Sequence, residues 1–145
     1  MSAASDYLEV EIRKHIFRTG SFTKPTVLAI CLLTSAPNDA STGATIVEPP
    51  DGDGYDRQTL NPADANWTAP DSTGGLTDNA SAITFGPCTG TNWGSITHWA
   101  IVDSATYGAG NMLVYGAFAT PRTIEVGDTF TIPIGDLDLT ITPAA

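Results

Sequence analysis

Fourteen glycines and ten prolines, about a sixth of the chain, are scattered along all 145 residues, and this spacing most limits the fold. Threonine, isoleucine, valine and aromatic residues fill the gaps between them. Short β-branched runs cut by turn residues are the pattern of many short strands joined by tight turns. A chain of this length fits one domain and buries roughly 70% of its unfolded surface, so it folds without a metal or disulfide. The expected fold is mainly β: an antiparallel β-sandwich of seven or eight strands with one N-terminal α-helix.

The helix is expected over residues 6–18. Asp6 suits the N-cap, with Glu9 three residues on in the capping-box position. Leu8, Ile12 and Ile16 recur at spacing four and Val10 and Phe17 at spacing seven, so both sets fall near one stripe. Arg13, Lys14 and Arg18 lie in the last turns, where cations favour the negative end of the dipole, and Gly20 is placed to stop the helix. Everything afterwards reads as strand and turn. Strands are expected at 27–34 (apolar on both faces), near 45–48, at 55–60, 82–85, 95–103, 112–119 and 123–126. A last hairpin-like pair is expected at 130–134 and 137–142 around Gly135-Asp136. In the strand at 95–103, Thr97, Trp99 and Ile101 should share one face and Ile96, His98, Ala100 and Val102 the other. Residues 61–79, with Gly74-Gly75, form a long polar loop of the kind often used for contact.

Charge divides the chain. Residues 1–24 carry Arg13, Lys14, Arg18 and Lys24 against three carboxylates, and the other 121 residues carry thirteen carboxylates against Arg57 and Arg122. The first segment is near +1 and the remainder near −11. The organisation implied is an N-terminal helical arm, 1–24, on a β-sandwich body, 25–145. Such a balance excludes a nucleic-acid binder, whose affinity comes from many cationic contacts to phosphate. No apolar run reaches the length of a membrane span, and no export signal is expected at the start. Cys31 and Cys88 are too few for a disulfide framework and read as free thiols, Cys31 within the core.

The sequence offers little catalytic chemistry. Only His15 and His98 are present, and His98, within a strand, reads as a hydrogen-bonded core or interface residue. No serine sits in a glycine-flanked elbow, and no Cys, His and carboxylate spacing fits zinc. Asp103, Asp136 and Asp138 read as surface carboxylates rather than a glycosidase pair. Asp51, Asp53 and Asp56 form a weak calcium candidate, although the run lacks the EF-hand glycine and glutamate; a solvated glycine turn is the plainer reading. The glycosylation patterns at Asn66 and Asn79 are read as chance. No catalytic residue and no cofactor is expected. Trp99 reads as core. Trp67, in the long loop, either anchors a partner or folds back over the sheet edge.

The order YLEVEIRKHIF, PTVLAICLLTSAP, GDGYDRQ, WGSITHWAIVD and NMLVYGAFATPRTIEVGDTFTIPIGDLDLTI resembles a family of small tailed-phage virion proteins often labelled tail-fibre-like. The pieces WG-x-x-TH, Y-x-R-Q and V-G-D-T followed by G-D-L carry the resemblance together. It implies a non-enzymatic building block of a phage particle. The leading expectation is a capsid decoration (cement) protein on the outer head surface, assembled in the host cytoplasm. Arg13, Lys14, Arg18 and Lys24 would then dock it on the major capsid protein or another virion protein, with copies in a homo-oligomer, trimeric by preference. The alternatives are a tail fibre or baseplate appendage touching the host receptor through Trp67, and a carbohydrate-binding sandwich. Whether the helix packs on its own body or on a partner stays open at this level.

Overall fold

The computed structural model describes residues 2–72 and 75–140. The far end of the strand expected over 137–142, and Gly74 of the Gly74-Gly75 pair, lie outside the described residues. In chain order the elements are β1 (Ser2–Ala4), α1 (Asp6–Phe17), β2 (Ala29–Leu33), β3 (Gln58–Thr59), β4 (Ile83–Phe85), β5 (Gly94–Val102), β6 (Met112–Ile124) and β7 (Phe130–Ile132). One sheet has five strands in the order β1-β6-β5-β2-β3, and a second pairs β4 with β7. Every pairing is antiparallel. The mainly β sandwich with one N-terminal helix is therefore the fold that the sequence predicts.

The main core lies where side chains of both sheets meet. Ile30 and Leu32 of β2, Trp99 and Ile101 of β5, Ile83 and Phe85 of β4, and Phe130 and Ile132 of β7 form one cluster. Alternation along β4 and β7 sends every second residue inward. Each fully buried side chain of this size stabilises the fold by roughly 1.5–3 kcal/mol. The opposite face of β2 and β5 is also covered: Ala29, Cys31, Leu33, Ala100, Val102 and Met112 form a second cluster, with Ile46 packed against it. That explains why β2 reads as continuously apolar; all five of its residues are buried.

The pairing departs from the sequence reading at one bend. Ile96 pairs with Arg122 and His98 with Ala117, so residues 118–121 of β6 stand opposite Thr97 alone. This four-residue bulge joins into one strand what reads as two separate segments, and Pro121 falls inside it, where a ladder donor is not needed. It also breaks the alternation of β5. Ile96 enters the main cluster with Trp99 and Ile101 rather than sharing the face of Ala100 and Val102. The segment expected as a strand near 45–48 is turn and irregular chain, and only Gln58–Thr59 of the 55–60 segment joins the sheet. The final hairpin is replaced by a longer-range pairing of β7 with β4.

Candidate docking helix and contact cleft

The helix is fastened at its base and free along its length. Residues 2–4 add a short edge strand to β6, and the Ser2 hydroxyl donates to Thr140 O at 3.1 Å and accepts from Thr140 N at 2.8 Å. Ser5 is fully buried: its N–H donates to Leu113 O at 2.9 Å and its hydroxyl donates to Met112 O. Ser5, not Asp6, is the N-cap, because its Oγ accepts the Leu8 N–H at 3.3 Å. The Asp6 N–H is taken by Asp39 O at 2.9 Å. The helix ends at Phe17, two residues before the reach of Gly20, with the Arg18 N–H on Lys14 O at 3.1 Å.

No residue of α1 is buried. Leu8 and Ile12 are half-buried, while Val10 is 39% exposed, Ile16 62% and Phe17 78%. The apolar stripe thus opens outward toward the C-terminal turn of the helix. Arg13 pairs with Glu9 at 3.1 Å and Lys14 with Glu11 at 2.8 Å; both pairs are largely exposed and each adds only about 0.3–0.5 kcal/mol of helix stability. Arg18 has no ion pair among the described residues. The end of α1 is therefore apolar and cationic together, on a body of opposite sign.

The four cations do not converge. Lys24 leaves the helix and lines a separate cleft of about 720 Å³ with Trp67, Asp64, Thr68, Pro70 and Thr77. Trp67 folds back and packs against the main core, and it also lines this cleft. Its Nε1–H donates to Leu60 O at 3.0 Å. The surrounding loop is laddered rather than loose. Trp67 bridges Asn79, the Thr68 N–H donates to Asp78 O at 2.9 Å, and the Ala80 N–H donates to Asn66 O at 2.8 Å.

The other candidate positions are structural in their surroundings. Asp53 offers its main-chain oxygen to Trp93 Nε1–H and to the Thr89 N–H, both at 3.0 Å, while Asp51 and Asp56 are exposed. Among the described residues no three His, Cys, Asp or Glu side chains come together as a metal-holding group. His98 is half-buried with Nδ1 2.8 Å from Thr97 Oγ1. Cys31 and Cys88 are buried free thiols, and burial pushes the Cys31 thiol well above its ordinary range.

Sequence reasoning misses the charged centre of the molecule. Arg57, 7% exposed, meets Glu48, 8% exposed, in a two-pronged pair at 2.9 Å and 2.6 Å. Its remaining donors go to main-chain oxygens: Ser104 at 3.0 Å, Ala109 at 2.7 Å and Gly43 at 2.8 Å. The Tyr55 hydroxyl donates to Glu48 Oε1 at 2.7 Å and accepts the Leu32 N–H at 3.1 Å. One guanidinium thereby ties two loops together, and Glu48 and Tyr55 link them to β2. The only sequence signal was a cation isolated in an alternating Y-x-R-Q segment.

The sequence matches the family described as "Podophage GP4 fiber I protein gp80" over residues 3–140, from β1 to the residue that closes on Ser2. No curated protein matches it. No helix among the described residues is long and apolar enough to cross a membrane. The match covers nearly the whole chain, so this protein belongs to the Podophage GP4 fiber I protein gp80 family and is a structural protein of a phage virion.

Proposed function

We propose that the protein is a non-enzymatic fibre-type appendage module, seated on a larger virion protein through α1 with its acidic β body held outward. The observation that carries this is the helix itself. Its base is bonded into the sheet through Ser5, yet Ile16 and Phe17 stand exposed beside Arg13, Lys14 and Arg18. An exposed amphipathic face of this kind is the usual mark of an interaction site. Burying Ile16 and Phe17 would contribute roughly 1.5–3 kcal/mol each, with the cations adding orientation and salt dependence. Copies grouped around an axis, in threes by preference, would present several such helices at once and raise avidity.

The family's description as a fibre protein favours an appendage. The second reading, a decoration of the outer head surface, draws on the acidic body, which packaged DNA would repel. Copy number separates them: a dozen or a few dozen copies per virion support the appendage, and hundreds support head decoration. The docking itself is tested by adding purified protein to particles that lack it. Ile16→Asp with Phe17→Asp should lower affinity by about 100-fold or more while leaving the melting temperature nearly unchanged, since neither side chain is buried. Wild-type occupancy by this variant would place docking elsewhere.

A further inference from the structure

We propose that the cleft at Trp67 is a saccharide-binding site that takes a neutral pyranose ring. The proposal does not depend on where in the particle the protein sits. The cleft, at about 720 Å³, lies within the size range of small-ligand sites, roughly 300–1,000 Å³. Its walls combine the three things a sugar needs. The half-buried indole of Trp67 offers a flat apolar surface for the C–H face of the ring. Thr68 and Thr77 bring hydroxyls that both donate and accept. Asp64 and Lys24 stand exposed in the lining, one an acceptor and one a donor, and neither has an ion pair among the described residues.

The charge balance selects the ligand class. Within the lining one carboxylate and one ammonium balance, and Asp71 and Asp78 flank it on an acidic body, so a phosphate finds no cationic surplus there, whereas hydroxyls on a neutral ring use both groups. The site is also built in advance. The indole is fixed by its bond to Leu60 O, and Thr68 Oγ1 accepts the Asp78 N–H at 3.0 Å while its own proton stays free to donate. Pro70 stiffens one wall. A site already ordered loses less freedom on binding than a mobile loop would.

Trp93 and Trp99 are only 2% and 3% exposed, so a saturable fluorescence change in the wild-type protein reports on Trp67. The probes are maltose, cellobiose, N,N′-diacetylchitobiose and rhamnose, with inorganic phosphate as the anionic control. At least one sugar should bind with a dissociation constant of about 1 mM or tighter. The variants are followed by saturation-transfer NMR on the ligand, which needs no tryptophan signal. Trp67→Ala should weaken binding at least about tenfold, the loss of one good contact. Should that variant fail to fold, Asp64→Asn and Lys24→Met serve instead; both positions are exposed, and each should weaken binding severalfold at unchanged melting temperature. No saturable binding by any sugar overturns the proposal. So does sugar binding indifferent to Trp67→Ala, or to both surface variants, and so does saturable binding of phosphate alone.

Discussion

Replacing Arg57 by methionine isolates what its guanidinium holds together. The substitution keeps much of the aliphatic stem and removes every donor. Glu48 is then left without its counter-charge in a site where it is 8% exposed, and breaking a buried ion pair in this way costs about 3–5 kcal/mol. The oxygens of Gly43, Ser104 and Ala109 lose their shared partner as well. Water entering from the loop side would offset part of that, so the total stays near 4–6 kcal/mol, against a stability of roughly 5–15 kcal/mol for a domain. For a chain of this size that lowers Tm by about 10–20 °C. The assay is urea unfolding followed by circular dichroism, with Glu48→Leu alone and the Arg57→Met, Glu48→Leu pair beside it. The double variant removes the uncompensated carboxylate but leaves the three oxygens without the guanidinium and the Tyr55 hydroxyl without its acceptor, so it should regain about half of the loss. A loss below about 1 kcal/mol for Arg57→Met would refute the reasoning, because the pair would then be solvated in practice. Full recovery in the double variant would refute the claim that the guanidinium ties the loops.

Gly43→Ala should destabilise by about 2 kcal/mol or more in the same assay, because the added Cβ would lie 2.0 Å from Ala109 O, inside the loop contact that Arg57 secures. Alkaline unfolding should follow the tyrosines. Burial, helped by Asp39, raises the Tyr115 hydroxyl to about 12, and burial with Glu48 raises Tyr55 well above its ordinary value. Both hold their protons more tightly when folded, so their stabilisation is complete below pH 10, where the unfolded chain titrates; that of Tyr115 is lost as pH rises through about 12, and that of Tyr55 is likewise lost as pH rises through its raised folded value. Melting temperature measured from pH 7 to 12 checks this, with Tyr115→Phe showing a shallower decline; a rise above pH 10 would contradict it. Asn79→Ala should cost about 2–4 kcal/mol in a thermal melt, since its buried amide donates to Ser81 O and Pro133 O, both at 2.8 Å, and accepts the Leu137 N–H at 3.0 Å. Millimolar calcium should leave the melting curve in place, because Asp51 and Asp56 point to no shared group with Asp53 among the described residues.

What was legible in the sequence was whatever depends on near neighbours. The amphipathic spacing of Leu8, Ile12 and Ile16 located the helix within one residue of its end, and the unbroken apolar run located β2. Its cap was misread because Ser2–Ala4 carries no strand signal of its own; β6 recruits it, and that moves the first turn back to Ser5. The hairpin expected around Gly135 fails for a similar reason. Asn79, more than fifty residues away, accepts the Gly135 N–H at 3.0 Å through its main chain and takes Leu137 with its side chain. The bulge at 118–121 reverses the parity of β5, and no local pattern announces it. At the candidate sites, the cationic helix and Trp67 were visible as residue types in revealing places. The company each keeps was not. Lys24 reads as part of the helical arm, yet the chain folds back after His15, whose Nδ1 accepts the Phe22 N–H at 3.2 Å, and carries Lys24 to the Trp67 cleft.

The docking role of α1 rests on what covers its outer half. The most direct measurement is cryo-electron microscopy of the virion at a resolution that shows side chains, with Ile16 and Phe17 followed in density. Both side chains should be buried against a larger virion protein, with Arg13, Lys14 or Arg18 facing carboxylates across that boundary. Density showing the same two side chains in open solvent, with the body attached through another surface, would contradict that role.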